Sequence, residues 1–193
     1  MNKILFFCLF LYLMAASFSL TFAENNDGFN GTSKMEGEHL TIEYFNDVDP
    51  SFLNEIFRIS PMDEQLTNLK IDKTSIQKEI LSKLEIVFNR ASDLMDMHIY
   101  SFKGSIKVFA NHQQLQDFFN TLFRNSSLPC TGYAFYSEKY NSIYISGDHF
   151  KREILGHELG HAIMSRYFVV QPSVKIQEVL AGYIEYQLKK STE

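Results

Sequence analysis

Two histidines four residues apart, with a glutamate directly after the first, constrain this chain more than any other feature. The segment reads Gly-His-Glu-Leu-Gly-His from Gly156 to His161. On an α-helix, residues four apart lie on one face with Cβ atoms about 5–6 Å apart, so both imidazoles can reach one metal ion at roughly 2.0–2.1 Å. Glu158 projects toward the same side, where it can act on a metal-bound water instead of ligating the metal. The spacing therefore predicts a helical metal site with His157 and His161 as ligands and Glu158 as a general base.

Apolar residues around this motif recur at helical spacing and predict a helix over residues 150–167, with Asp148 as its N-cap. The two histidines lie at the edge of an apolar stripe that consists of Ile154, Leu155, Leu159, Ala162 and Ile163. The alternative interpretation is a helix that merely buries two hydrogen-bonded histidines. We favour the metal site because a charged Glu158 between them would be costly to bury without a partner.

The third ligand has to come from the segment after the motif. A catalytic zinc ion usually takes three protein ligands and keeps one position for water. No histidine, cysteine or aspartate follows the motif, so the remaining acids are Glu178, Glu185 and Glu193. Glu178 is favoured because it follows Pro172 and Ser173, a suitable start for a second helix that folds back against the first. Glu185 is the weaker candidate, and the alternative for Glu178 is a solvated glutamate at a helix start, where the helix dipole favours it.

The ligand set also limits the class of metal site. Two imidazoles with one carboxylate suit zinc among the common divalent metals. A metzincin-type zinc site would need a histidine six residues after His161, and that position is Tyr167. The sequence therefore predicts one zinc ion per chain, held by two histidines and a downstream glutamate.

In these residues the chain resembles the gluzincin peptidases of the peptidase MA clan. The similarity rests on the histidine motif, on Pro172, on Glu178-Val179-Leu180-Ala181-Gly182-Tyr183, and on the strand-like segment Asn141–Ser146 before the motif. It implies a zincin-like domain, a zinc ion held by His157, His161 and Glu178, and hydrolysis of peptide bonds with Glu158 as the base. In thermolysin-like members, the position that Gly182 occupies here holds an acid, which orients a ligating histidine. In this chain a backbone carbonyl or Asp148 would have to replace that acid.

The resemblance also implies where a substrate would lie. In gluzincins the strand before the motif lines the substrate cleft, so the expected substrate contacts are Ile143, Tyr144, Ile145 and Ser146. Tyr183, Tyr167 and Tyr144 are alternative donors to the oxyanion that forms during hydrolysis.

The pattern along the rest of the chain predicts an α+β fold, with a small mixed sheet and two terminal helices that carry the motif and Glu178. Alternating residues predict strands at residues 39–45 and 105–110 and a hairpin formed by residues 132–136 and 142–146. Helical spacing predicts a long helix from Thr74 to Met95 and a shorter one around Leu115 to Phe123.

The first 23 residues are typical of an export signal, with Lys3, an apolar run and a small-residue boundary at Ala23. An uncleaved membrane anchor is the alternative, because about 20 apolar residues can span a bilayer. We therefore expect a periplasmic or secreted protein with a flexible tether over residues 24–38 and one domain over residues 39–193. Cys130 would then be the remaining cysteine, either a buried small hydrophobe or a thiol that occupies the open position of zinc.

Charge argues against a nucleic-acid partner. The chain has 18 lysines and arginines and 23 acids, and removal of residues 1–23 takes away Lys3 alone, which leaves 17 − 23 = −6. The sequence thus favours a zinc-dependent peptidase that acts on a peptide or protein, with a protein partner as an option for completing its cleft. The alternative is a non-catalytic zinc-binding envelope protein that acts in binding or assembly.

Overall fold

The computed structural model describes residues 26–123 and 132–191. Its strands are β1 (Ser33–Glu36), β2 (Leu40–Tyr44), β3 (Gly104–Phe109), β4 (Ala134–Ser137) and β5 (Ser142–Ser146). Its helices are α1 (Pro50–Ile56), α2 (Pro61–Thr67), α3 (Ile76–Met95), α4 (His112–Leu122), α5 (Arg152–Tyr167) and α6 (Val174–Lys190). The predicted combination of helices with a mixed sheet is confirmed. The predicted export signal and Cys130 lie outside the described residues.

The sheet has the strand order β1-β2-β3-β5-β4. Strands β2, β3 and β5 run parallel, and the two outer strands, β1 and β4, pair antiparallel with their neighbours. All five residues of β5 are buried. Strand β4, not β5, therefore forms the edge of the sheet nearest to the motif helix.

Both faces of the sheet are covered by apolar side chains. On one face, residues of β2, β3 and β5 join a large cluster with α3, α5 and α6, in which Ile42, Ile106 and Leu159 are fully buried. On the other face, α4 contributes Leu115 to a smaller cluster with Phe29, Phe109 and Tyr144. The alternation of strand side chains sends Ile143 and Ile145 to the first face and Tyr144 to the second. The phenylalanine-rich composition is thus used in packing.

The segment predicted to be a flexible tether, residues 24–38, is ordered from Asn26 onward. The structure therefore corrects that prediction. Ser33–Glu36 form β1, and Phe29 is buried in the smaller cluster. The Asp27 carboxylate accepts hydrogen bonds from Lys107 Nζ at 2.6 Å and from the Tyr144 hydroxyl. The sequence predicts a tether here because the partners of Asp27 are 80 and 117 residues away along the chain. Local periodicity does not reveal contacts between residues so far apart.

Most helix starts follow local capping rules, but the motif helix does not. The side chains of Ser75 and Asn111 accept hydrogen bonds from the first free N–H groups of α3 and α4. Asp148 was predicted to cap α5. The structure corrects this prediction, because Asp148 lies within a 3-10 turn, Gly147–His149, that precedes α5. Lys151 is the N-cap residue and makes no capping bond with its side chain. In the described ranges, no helix is long and apolar enough to cross a membrane.

Candidate metal centre

The motif helix α5 and the following helix α6 approach closely because α5 carries two glycines at the contact. A Cβ atom on Gly156 would lie 2.2 Å from Leu188 Cδ1, and one on Gly160 would lie 2.8 Å from Ile184 Cδ1 and 3.3 Å from Ala181 Cα. These distances are shorter than most Cβ contacts, so a larger residue at either position would require the Leu188 or Ile184 side chain, or the helix backbone at Ala181, to move. The glycine directly before each histidine therefore allows α6 to lie close to α5, which brings Glu178 of α6 within reach of the histidines.

A buried ion pair fixes the other end of the same helix pair. Arg152, in the first turn of α5, donates to Asp63 of α2 at 2.8 Å and also to the backbone carbonyl of Leu188 near the end of α6. The side chains of Arg152 and Asp63 are each 2% exposed. Ser191 donates to the same Asp63 carboxylate at 3.1 Å. These bonds hold the start of α5 against the end of α6.

Three side chains converge between the two helices. His157 Nε2 lies 3.3 Å from His161 Nε2 and 3.6 Å from Glu178 Oε2, and His161 Nε2 lies 3.5 Å from Glu178 Oε1. Four ligands placed tetrahedrally at roughly 2.0–2.1 Å from zinc are about 3.3–3.4 Å from one another. The three closest separations are near that value, with a different oxygen of Glu178 facing each histidine. His157, His161 and Glu178 thus form a cluster that could hold one metal ion.

His157 is also held by a second residue of α6. Gln177 lies near His161, but its amide nitrogen donates to the Pro172 carbonyl at 2.9 Å, whereas His157 Nδ1 lies 3.1 Å from Glu185 Oε2. A carboxylate that accepts the Nδ1 proton leaves the Nε2 lone pair free for a metal, which is the arrangement that ligating histidines need. Asp148 does not take this role, because its carboxylate contacts Ser146 and His149.

Glu185 was the weaker candidate for the third metal ligand, and the structure gives it a different contact. It lies seven residues after Glu178, which is two helical turns, so both carboxylates project from one side of α6. Glu178 meets the Nε2 atoms and Glu185 meets His157 Nδ1. The sequence signal that could have identified this pair is the seven-residue spacing. The family pattern, in contrast, placed the orienting acid at Gly182, where a Cβ atom would meet no other residue within 4 Å.

Glu158 lies deeper than the two histidines. It is 9% exposed. Burial raises the pKa of its carboxyl to about 8; a backbone hydrogen bond from Tyr136 opposes this rise, and the charges of Glu178 and Glu185 add to it. A divalent cation at the neighbouring donors would act in the opposite direction, because an opposite charge favours the ionised carboxylate. Glu158 is thus a group whose proton affinity depends on the charge between the helices.

The electrostatics of His161 also suit a ligand. Burial lowers the pKa of the His161 imidazole, and the nearby charge of His157 lowers it further, while Glu178 and Gln177 act to raise it. A lowered pKa keeps the ring neutral, and the neutral imidazole is the form that binds metals.

The cluster opens onto a cleft of about 510 Å³. Its walls come from β4, α4, α5 and α6, and the lining residues include Phe119, Ala134, Phe135, Tyr136, Ser165 and Gln171 together with the cluster itself. The edge strand β4 forms one wall. In the antiparallel pair with β5, Ser146 N–H donates to the Tyr133 carbonyl at 3.0 Å. Hydrogen-bonded and non-hydrogen-bonded residue pairs alternate along an antiparallel ladder. The backbone N–H and C=O groups of Ala134 and Tyr136 therefore point away from β5, toward the open edge of the sheet.

The structure places the residues expected to contact substrate, Ile143, Tyr144, Ile145 and Ser146, inside the sheet and not among the residues that line the cleft. Strand β5 pairs with β3 on one side and β4 on the other, so its backbone has no free edge. The Tyr144 hydroxyl bonds Asp27 on the far face of the sheet, and Ser146 bonds Asp148. The hairpin itself was predicted correctly, but local patterns do not reveal which of its strands inserts into the sheet.

The tyrosines considered as oxyanion donors lie elsewhere. Tyr183 is five residues after Glu178, which places it about 140° around α6 from that ligand, and it is 44% exposed outside the cleft. Tyr167 is not a lining residue either. Among the described residues, Tyr136 does line the cleft, and its hydroxyl contacts Ser165 Oγ at 2.7 Å and Asn141 Oδ1 at 3.1 Å.

Comparisons with protein-family models, with characterised proteins and with solved structures find no significant match to this chain. Conclusions about function therefore rest on the chemistry of this site.

Proposed function

We propose that this protein is a zinc-dependent peptidase with a zincin-like, gluzincin-type site. The observation that carries the proposal is the convergence of His157, His161 and Glu178 at separations of 3.3–3.6 Å, beside a buried Glu158. Three protein donors leave one tetrahedral position for a water or a substrate, which is typical of catalytic zinc. The apolar first 23 residues favour export of the protein to the periplasm or the medium.

Each residue of the site has a role in this proposal. Zinc, when bound, would polarise a peptide carbonyl and lower the pKa of a coordinated water to about 7. The Glu158 carboxylate takes a proton from the attacking water and delivers it to the departing amine. Glu185 holds the His157 imidazole in the orientation that presents Nε2 to the ion.

The substrate is an extended peptide that pairs with β4. The outward backbone groups of Ala134 can form hydrogen bonds with a peptide backbone, which gives affinity without dependence on sequence. The Tyr136 N–H is already directed toward Glu158. A peptide that pairs with this edge of the sheet therefore lies beside the carboxyl group of Glu158, which acts as the base.

A non-catalytic zinc protein of the cell envelope is the second candidate. Structural zinc sites usually have four protein ligands and no use for a neighbouring base. Among the described residues, three donors meet at this site, and Glu158 is desolvated beside them. A hydroxamate inhibitor separates the two functions, because it needs an open coordination position: tight, zinc-dependent binding is expected for the peptidase, and no binding would favour the non-catalytic protein.

Metal content of the purified protein tests the site directly. One zinc per chain is expected for the natural sequence, and the Glu178→Ala variant should lose it or bind it far more weakly. Glu55→Ala, which removes an exposed glutamate of α1, is the matched control and should keep the metal. Zinc that persists in Glu178→Ala would place the third ligand elsewhere, and a natural sequence without metal would reject the proposal.

A further inference from the structure

Exposed apolar side chains are concentrated in one stretch of the described chain. Of the fourteen large hydrophobic residues that are exposed, eight lie between Tyr167 and Tyr186: Tyr167, Val169, Val170, Val174, Ile176, Val179, Tyr183 and Tyr186. Single exposed hydrophobic residues are normal, but a contiguous group marks an interaction surface. This stretch spans the end of α5, the connection to α6, and most of α6.

Four of these residues form a stripe along α6, which we call the outer face of α6: Ile176, Val179, Tyr183 and Tyr186. Their spacing of three, four and three residues places them on one side of a helix. The residues that α6 buries, Ala181, Ile184 and Leu188, lie on the opposite side. Val169 and Val170, in the connection before the helix, are 102% and 84% exposed. The residues of the outer face are 44–64% exposed, so about half of their surface, and most of that of the two valines, is available for another contact.

The charged residues on this side of α6 are lysines. Lys175 and Lys190 lie on the same side of α6 as the outer face, because they fall within about 60° of its centre around the helix. The two glutamates of the helix, Glu178 and Glu185, are directed to the histidines. The protein as a whole carries a net charge of −5, so a basic and apolar face is unlike the rest of the molecule.

We propose that the outer face of α6, together with Val169 and Val170, docks on an anionic lipid bilayer. An apolar stripe flanked by lysines is the pattern of a helix that lies in the interface of a membrane. Tyrosine is enriched at that depth because its ring is apolar and its hydroxyl is hydrated. Two valines at a protruding connection can enter the acyl region without loss of any protein contact.

A second copy of the chain fits this face less well than a lipid surface. If two outer faces packed antiparallel, Lys175 at one end of the helix would approach Lys190 at the other end of its partner, and parallel packing would place each lysine beside its own copy. Like charges at such positions oppose association. Anionic headgroups, in contrast, offer complementary charge along the whole helix.

Docking in this orientation leaves the metal centre accessible. Glu178 and Glu185 project from α6 about 120–140° away from the centre of the outer face, so the histidines lie beside the lipid contact and not within it. The surface does not depend on the zinc site, and it can be tested whether or not the protein is a peptidase.

A tryptophan reporter can test this contact because the natural chain contains no tryptophan. Val170→Trp places the single fluorophore in the proposed contact, and Tyr100→Trp places it at a residue that is 91% exposed outside the stripe. The full chain is mixed with vesicles of zwitterionic phospholipid, or with the same vesicles containing phosphatidylglycerol, with brominated acyl chains as quenchers. The reporter is local, so attachment through another segment does not by itself quench it.

We expect the fluorescence of Val170→Trp to shift to shorter wavelength and to be quenched on anionic vesicles, while Tyr100→Trp remains unchanged. In the Val170→Trp background, Lys175→Glu with Lys190→Glu should raise the lipid concentration for half-maximal quenching at least tenfold. Circular dichroism of each variant checks that the fold is retained. Absence of quenching in a folded Val170→Trp variant would overturn the proposal, as would equal quenching on zwitterionic vesicles. A blue shift that depends on protein concentration without vesicles would overturn it in favour of a second copy.

Discussion

Glu178 and Glu185 contact the same histidine, but their roles differ because they meet different atoms of its ring. Glu178 approaches Nε2 at 3.6 Å, on the side where His161 also lies, whereas Glu185 approaches Nδ1 at 3.1 Å on the other side. The first carboxylate can share an ion with the imidazole, and the second can accept only the proton of Nδ1. At the scale of single residues, the role of each carboxylate follows from which ring nitrogen of His157 it reaches.

Replacement of Glu158 by glutamine should separate metal binding from hydrolysis. The amide keeps the size of the side chain but cannot take a proton, and general bases contribute typically 10²–10⁴-fold to a rate. We expect Glu158→Gln to retain one zinc per chain and to lose peptide hydrolysis by about that factor. Zinc content and the initial rate of digestion of a mixed peptide library, read by mass spectrometry, are the measurements. Undiminished turnover would show that Glu158 is not the base.

Replacement of Glu185 should weaken the metal site without removing a ligand. Residues that hold a ligating histidine usually change metal affinity by about 10–100-fold when they are altered. We expect Glu185→Gln to raise the dissociation constant for zinc within that range, measured by competition with a chromophoric chelator. Glu55→Gln on α1 is the matched control. An affinity equal to that of the control would mean that the Glu185 contact does not orient His157.

At the scale of elements, the metal centre depends on the separation of α5 and α6. Gly156 and Gly160 lie one turn apart on α5, and each faces an apolar side chain of α6. The three donors come from both helices, so a shift of one helix changes the distance between Glu178 and the histidines. The two glycines therefore belong to the site, although neither contacts a metal-binding atom.

Two glycine-to-alanine changes test this dependence. In Gly160→Ala the added carbon would meet Ile184 Cδ1 at 2.8 Å and the Ala181 backbone at 3.3 Å. We expect about 1–3 kcal/mol loss in the free energy of unfolding, as for other overpacked cores, together with weaker zinc binding. Gly182→Ala adds the same carbon to open space on α6, so it should stabilise the protein by up to about 1 kcal/mol through helix propensity. Urea unfolding and zinc titration measure both effects; equal behaviour of the two variants would contradict the packing argument.

The helices and the positions of the three clustered donors could be predicted because their signals are local. Four-residue spacing places His157 and His161 on one face, and Pro172 with Ser173 indicates the start of α6 before Glu178. The order of the strands could not be predicted in this way. Whether β4 or β5 lies at the edge depends on the pairing of β5 with β3, which is 37 positions away in the register Ile106 to Ile143. The hairpin was predicted correctly, but the residues expected to contact substrate lie on its strand inside the sheet, whereas its edge strand lines the cleft.

At the scale of the whole molecule, two buried carboxylates connect segments that are distant in sequence, and no local pattern indicates these contacts. Asp27 bonds Lys107 and Tyr144 across the sheet, and Asp63 bonds Arg152 at the start of α5. Removal of one member of a buried ion pair typically costs about 3–5 kcal/mol, because the other charge is left without a partner. These contacts connect segments distant in sequence, and they keep the sheet, the two terminal helices and the cleft in one arrangement.

The free energy of unfolding of the metal-free protein should depend on pH through Glu158. Its folded pKa of about 8 exceeds the ordinary value of 4.5, so between these values the folded state binds more protons than the unfolded state. The stability associated with this group is complete below pH 4.5 and is lost as the pH rises toward 8. His161 acts in the opposite direction near its ordinary value of 6.5, because its pKa is lowered in the folded state. The interval from pH 6.5 to 8 therefore isolates Glu158.

Urea unfolding in the presence of a chelator measures this dependence. A difference of one bound proton corresponds to about 1.4 kcal/mol per pH unit, so we expect the natural sequence to lose on the order of 1–2 kcal/mol between pH 6.5 and 8. Glu158→Gln cannot ionise, and its stability should fall less over the same interval. Because all other titrating groups are common to both proteins, the difference between the two slopes reports the buried carboxyl alone. Parallel slopes would mean that Glu158 is already ionised at pH 6.5 without metal, and that its environment is more polar than the helix pair suggests.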